Sequence, residues 1–131
     1  MISFVFSFKN EEKNLEELVK RVDQAVKKIN NYDYELIFVN DNSDDDSEKI
    51  LETLQNNYPI TIINMSRTFG VGPCVLAGFQ NVNGDCVIYM DSDLQDPPEI
   101  IEKMYKKIKE ENLNVVYAKR NKRKEGLFKR I

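Results

Sequence analysis

The sequence predicts an α/β domain, a mostly parallel sheet covered by helices on both faces. Three observations carry that expectation. Apolar, β-branched and aromatic runs alternate with charged segments of helical period, in a βαβα rhythm that lasts nearly to the end of the chain. Runs such as Leu36-Ile37-Phe38-Val39 are apolar at successive positions and therefore on both faces, as strands buried between two helical layers are. Asn, Asp, Ser and Gly collect just after the strand runs, at the ends where open α/β sheets bind ligands.

Taken in order, Ile2 to Phe8 is too short an apolar run for a secretory leader and is expected to be a first buried strand. A helix is expected from near Glu11, because Leu15, Leu18, Val19, Val22, Val26 and Ile29 recur at three- and four-residue steps. A second strand spans 34–40. The second helix follows Asp41-Asn42-Ser43, with Ile50, Leu51 and Leu54 as its inner stripe. A strand at 59–64, a helix over 71–82, a strand at 85–90 and a helix over 97–111 continue the alternation, and Val115-Val116-Tyr117 predicts a fifth strand at 114–118. No internal repeat and no linker interrupts residues 1–118.

A length of 131 residues fits one domain. With 41% hydrophobic and 31% charged residues, no apolar run long enough to cross a bilayer and no basic-then-apolar leader, the expected compartment is the cytoplasm. Cys74 and Cys86 sit among apolar neighbours without zinc-site spacing and read as reduced, packed thiols. The absence of histidine excludes imidazole acid–base chemistry and Ser-His-Asp triads. Net charge is −3 but unevenly placed: residues 1–118 carry 12 Lys and Arg against 21 Asp and Glu, whereas residues 119–131 carry 7 against 1. The segment 119–131 is therefore set apart from a domain at 1–118. Two readings of it stand: a solvated terminus, or a basic tail drawn to phosphates or to an anionic membrane surface.

The most distinctive segment is Val87-Ile88-Tyr89-Met90-Asp91-Ser92-Asp93-Leu94-Gln95-Asp96-Pro97-Pro98-Glu99, where an apolar run breaks into two carboxylates one residue apart. At a strand end, positions i and i+2 point the same way, so Asp91 and Asp93 can converge on one hard divalent cation that shares its shell with substrate phosphates. The alternative is that the two acids shape a turn and cap the helix begun by Pro97-Pro98. Three further polar loops would open on the same crevice: Ser7-Phe8-Lys9-Asn10-Glu11, Asn40 to Asp46, and Ser66-Arg67-Thr68-Phe69-Gly70.

These residues resemble the family 2 glycosyltransferases with the GT-A fold, within the branch that includes dolichyl- and polyprenyl-phosphate sugar transferases. Ser7-Phe8-Lys9-Asn10-Glu11-Glu12 is similar to P-x-Y-N-E-E, and Phe38-Val39-Asn40-Asp41-Asn42-Ser43-Asp44-Asp45 to F-V-D-D-G-S-x-D. Ser66-Arg67-Thr68-Phe69-Gly70 with Ala77-Gly78 is similar to S-R-N-F-G with a downstream A-G, and Asp91 to Glu99 to D-A-D-L-Q-x-P-P-E. The resemblance implies a Rossmann-like GT-A nucleotide-sugar-binding domain over 1–118, with 119–131 a basic tail or a shortened acceptor loop, and an acceptor half that lies beyond this chain. It implies a metal-dependent, inverting transfer of sugar from a nucleotide-diphosphate sugar of UDP or GDP type to a polyprenyl phosphate or a glycan, in cell-envelope or glycan biosynthesis. Mg2+ or Mn2+ would be the cofactor and nucleic acid would have no part.

By the same resemblance Asp41 contacts the base, Phe8 and Glu11 line base and ribose, and Arg67 lies by the nucleotide. Asn10, Ser43, Gly70 and Ser92 join that lining. Asp91 lies by ribose and metal, Asp93 on the metal, and Gln95 by the sugar or acceptor phosphate, so Asp91, Asp93 and Gln95 form the expected catalytic set. The chain would be cytoplasmic, with 119–131 able to touch the inner face of the membrane. Ser7, Lys9, Asn40, Asn42 and Thr68 depart from the pattern, Asn42 for Gly being tolerable where a left-handed backbone is needed. A binding module that does not react alone is the alternative function. A phosphoacceptor signalling domain using Asp41, Asp44, Asp45, Asp46 and Lys119 is a third reading, disfavoured because its acids follow the second strand.

Overall fold

The computed structural model describes residues 1–29 and 33–119. Strand β1 (Ile2–Phe8), helix α1 (Leu15–Lys27), β2 (Tyr34–Asn40), α2 (Ser47–Leu54), β3 (Ile60–Asn64), α3 (Val71–Phe79), β4 (Cys86–Asp91) and α4 (Ile100–Glu110) follow one another in strict alternation. The strands form one parallel sheet in the order β3-β2-β1-β4.

Alternation along the two central strands sorts their side chains into two cores. Phe4, Phe6, Phe8, Leu36 and Phe38 face α1, α2 and α4, where they meet Leu15, Leu18, Val19, Val22, Leu51 and Ile101. The Phe6 and Phe38 rings stack at 4.7 Å between centroids. Val5, Ile37 and Val39 face the other way, onto Cys74 of α3. Each such aromatic or aliphatic side chain, fully buried, contributes about 1.5–3 kcal/mol, so burial on both faces makes β1 and β2 the rigid centre. All six residues of the α1 stripe are buried as expected.

Three helices begin later than their apolar periodicity predicts, after turns and loop-to-loop hydrogen bonds. The backbone N–H groups of Asn10, Glu11 and Glu12 donate to Ser43 Oγ, Ser47 Oγ and Asp45 Oδ2 at 2.9, 2.9 and 3.2 Å, so α1 starts only at Leu15. Ser43 and Asp44 give their N–H groups to Asn40 and Asn10 side chains, both at 2.9 Å, so α2 waits until Ser47. In α4, Pro97 and Pro98 carbonyls accept from Ile100 and Ile101 in tight turns, and the helix proper begins at Ile100.

The fifth strand expected at 114–118 does not form among the described residues. Val115 and Tyr117 are 76% and 83% exposed and no neighbouring strand pairs with them. A strand is a pairing relation, and local β-propensity supplies only one partner. Residues 120–131, most of the basic segment, lie outside the described residues.

Helix α3 lies close against the sheet because Gly78 faces it. A Cβ at Gly78 would overlap Val5 Cγ1 and sit 3.3 Å from Val39 Cγ2. Gly78→Ala is expected to destabilise the fold by about 1–3 kcal/mol, read as a lower urea midpoint at unchanged slope. An unaltered midpoint would show that α3 is not seated on Val5.

Candidate nucleotide-sugar site

The chain steps outward from β1 to β2 and β3, then returns to add β4 on the other side of β1. Strand order therefore reverses at β1, and a crevice opens beyond the carboxyl ends of β1 and β4. Its volume is about 290 Å3, and Ser7, Phe8, Lys9, Glu11, Asp41, Val71, Cys74, Asp91, Ser92 and Asp93 line it. Six of these, Phe8, Glu11, Asp41, Asp91, Ser92 and Asp93, are sequence-predicted site residues. A larger cleft of about 420 Å3 runs along β4 and α4, but its lining is apolar apart from Asp96 and a few hydroxyl and thiol groups. The charged groups converge on the smaller one.

Asp41 follows β2 and is buried, 7% exposed. Its carboxylate accepts the N–H groups of Phe69 at 2.7 Å and Gly70 at 3.0 Å, which fastens the β3–α3 loop across the crevice floor. Burial opposes its ionisation, but those two donors, the Cys74 thiol and nearby Lys9 outweigh it and hold the carboxyl below its usual range. Burial first, then the bond to Asp41, push the Cys74 thiol up to about 11. The expected packed, reduced thiol is thus also a donor to the site.

Around β4 the acids are shaped by a sharp turn. Ser92 is buried and its hydroxyl donates to the Ser7 carbonyl at 2.9 Å, tying the exit of β4 to the end of β1. Leu94 is held at φ 62° while its side chain packs on the larger core. A bulky residue in that region is strained, here at the turn between Asp93 and Gln95. Asp93 Oδ1 accepts the Gln95 N–H at 3.1 Å. The turn-forming role weighed from sequence therefore holds for Asp93, whereas the capping role does not: α4 has Glu99 at its N-cap and no side-chain cap. Glu99 instead receives a two-pronged bond from Arg21 at 2.9 and 2.7 Å, locking the start of α4 to α1.

The remaining expected residues lie outside the crevice lining. Asn10 and Ser43 bond each other's loops and, with Glu12, Asp45 and Ser47, stitch the β1–α1 and β2–α2 turns together. Asn10 and Asn42 adopt φ 54° and 61°, so the left-handed backbone expected at Asn42 is present. Of the acids of the third reading, the Asp45 carboxylate takes part in this stitching, the Asp41 carboxylate holds its own loop, and the Asp46 carboxylate pairs with Lys49 at 3.3 Å. Gly70, at φ 91°, precedes α3 and donates to Asp41. Arg67 lies outside the lining, its guanidinium 4.6 Å from the centre of the exposed Phe69 ring. Gln95 is exposed and meets the site through its backbone.

Sequence reading did not assign Cys74, Val71 or Tyr89 to the site. Tyr89 Oη donates to Asp91 Oδ1 at 2.9 Å and lies 3.2 Å from Ser7 Oγ. Its two-residue offset from Asp91 was the available signal. Lys9 and Thr68, both departures from the family pattern, meet each other: Lys9 Nζ donates to Thr68 Oγ1 at 2.7 Å across the crevice mouth.

A parallel sheet with a polar, acid-bearing crevice at its switch point defines a Rossmann-like α/β ligand-binding domain of the GT-A kind. Residues 3–131 match the family described as Glycosyl transferase family 2, and the chain belongs to that family. It is 37% identical over 108 residues to a dolichol-phosphate mannosyltransferase of Pyrococcus furiosus, covering 82% of this chain and 30% of that protein. It is also 37% identical over 132 residues to an undecaprenyl-phosphate 4-deoxy-4-formamido-L-arabinose transferase of Proteus mirabilis, covering 98% and 40%. Among solved structures, S. aureus TarS 1-349 in complex with UDP-GlcNAc superposes with a TM-score of 0.70 at 23% identity, over 85% of this chain and 32% of that one. The mannosyltransferase PcManGT of Pyrobaculum calidifontis, in complex with GDP-Man and Mn2+, gives 0.65 at 16% identity, over 82% and 32%. These two likenesses establish the fold. The chain thus spans well under half the length of these relatives.

Because the Asp41 carboxylate is held below its ordinary value of 3.8, it contributes stability that is present above that value and lost as pH falls through the folded one. Asp41→Asn is expected to cost about 1–3 kcal/mol at pH 7, through the weakened hold on Phe69 and Gly70. The gap from the parent should narrow below about pH 4. Denaturation at both pH values checks this, and a gap that widens on acidification would contradict the depressed pKa.

Proposed function

We propose that this chain is the donor-binding part of a glycosyltransferase that moves a sugar from a nucleotide-diphosphate sugar, of UDP or GDP type, to a polyprenyl phosphate or glycan. The observation that carries the reading is the convergence of Asp91 and Asp93 with Phe8, Glu11 and Asp41 in one crevice at the switch point of a family 2 fold. The lipid-phosphate acceptor is supported by the names of the two relatives, dolichol-phosphate and undecaprenyl-phosphate transferases.

The donor set suits a cation that arrives with its substrate. Among the described residues no group of three or more His, Cys, Asp or Glu side chains could hold a metal ion alone. Two carboxylates leave most of an octahedral shell for water and phosphate oxygens, as Mg2+ and Mn2+ sites on nucleotides require. Asp91 and Asp93 would hold it. When bound, the ion supplies Lewis-acid stabilisation of the charge that develops on the departing diphosphate.

The chain's own residues set the surroundings. Asp41, satisfied by backbone donors, keeps the β3–α3 loop in place as a wall for the nucleotide, and the end of β1 at Phe8 lines the crevice beside it. Arg67, propped on Phe69, carries a cation at the rim, within reach of anionic substrate from solvent. A phosphate monoester acceptor, with its second pKa of about 6, is largely ionised at neutral pH and needs positioning more than a general base. No helix of the described residues is long and apolar enough to cross a membrane. A cytoplasmic chain meeting its lipid at the membrane surface, with the basic residues 119–131 towards anionic lipid, completes the reading.

Thermal shift with UDP-, GDP-, CDP- and dTDP-sugars, with and without Mn2+, tests the proposal. One nucleotide should stabilise the chain by roughly 2.7 kcal/mol at a hundredfold excess over its dissociation constant, more strongly with the metal. No stabilisation by any of the four would overturn it. In calorimetry, Asp93→Asn should remove the Mn2+-dependent part of that binding and leave the unfolding midpoint within about 1 kcal/mol of the parent, since its carboxylate makes one local turn bond.

A further inference from the structure

Tyr89 is the one aromatic of β4 whose polar end reaches the acid pair. Register places Val5 opposite Tyr89 and Ser7 opposite Asp91, so Ser7, Tyr89 and Asp91 lie on one face of the sheet at the carboxyl end of the β1–β4 pair. The Tyr89 ring packs against the core of Val5, Ile37, Val39 and Cys74, which leaves the phenol little freedom. Its hydroxyl donates to Asp91 Oδ1 at 2.9 Å and shares a hydrogen bond of 3.2 Å with Ser7 Oγ.

We propose that Tyr89, steadied by Ser7, is the positioning residue that fixes the Asp91 carboxylate for the diphosphate-bound cation. The inference rests on the donor-binding reading and deepens it. Asp91 ends a strand and Asp93 belongs to a strained turn, so two carboxylates of different stiffness must present oxygens to one ion. Asp93 is steadied by its own turn, through the Gln95 N–H. Asp91 is steadied from the sheet, through a phenol whose half-buried ring rests against that core. Partners that orient ligating groups typically change metal affinity by 10- to 100-fold when removed.

Tyr89→Phe deletes the hydroxyl and keeps the ring, and Ser7→Ala removes only the support. Affinity for UDP and for GDP is measured by calorimetry on the whole chain, in EDTA and in Mn2+. The gain conferred by Mn2+ over the affinity in EDTA should fall about tenfold in Tyr89→Phe and by a smaller factor in Ser7→Ala. A merely structural tyrosine would lower both affinities together or neither, and either result overturns the assignment. If Tyr89→Phe does not fold, an undiminished gain in Ser7→Ala overturns it as well. A Mn2+ gain equal in parent and Tyr89→Phe refutes this inference alone, whereas no Mn2+ gain in the parent refutes the donor-binding reading and this inference with it.

Discussion

Strand β1 is hydrogen-bonded along its whole length to parallel strands on both sides, β2 and β4. A parallel neighbour requires a crossover that returns the chain to the same end of the sheet, so each of the three crossovers delivers the following loop to the carboxyl edge. Because β4 is added on the opposite side from β2, the loops leaving β1 and β4 diverge around an opening. Every group in the site, from Phe8 to Asp93, is placed by that reversal. Nothing in the local sequence of any one loop would bring Glu11, Asp41 and Asp93 into the same crevice.

The loops at this edge are held less by their own turn propensity than by one another. The Asn10 N–H donates to Ser43 Oγ while Asn10 Oδ1 accepts the Asp44 N–H, and Glu12 does the same with Asp45 and Asp46 two residues further on. Asp41 reaches under the third loop to Phe69 and Gly70, and Ser92 of the fourth returns to Ser7 of the first. A buried carboxylate with two backbone donors is stable in its charged form, whereas the same donors without it would be left unsatisfied. The polar residues that look like an accumulation of caps and turns thus form one network.

Within this network the two acids after β4 have distinct supports. Asp93 sits in a turn kept tight by Leu94, whose left-handed backbone is tolerated because its side chain is drawn into the core. Asp91 ends a strand and is bonded to Tyr89 on its own face. With the strained turn between them, both carboxylates are part of the crevice lining.

Alternating apolar runs were enough to read β1 to β4 and the buried faces of α1 and α2, because a helix or strand must turn its apolar positions inward wherever it sits. The Asp91/Asp93 spacing and the motifs around Phe8, Asp41 and Gly70 were legible for a related reason: their chemistry is carried by residue type. Tertiary structure decided the rest. It showed Asp41 already engaged by Phe69 and Gly70, seated Gly78 on Val5, put Arg67 over the Phe69 ring, brought Tyr89 and Ser7 to Asp91, and left 114–118 without a strand to join. Each of those outcomes is a relation between residues tens of positions apart, set by sheet order and register. Local sequence specifies what a residue can bond to, but only the packed sheet specifies which partner arrives.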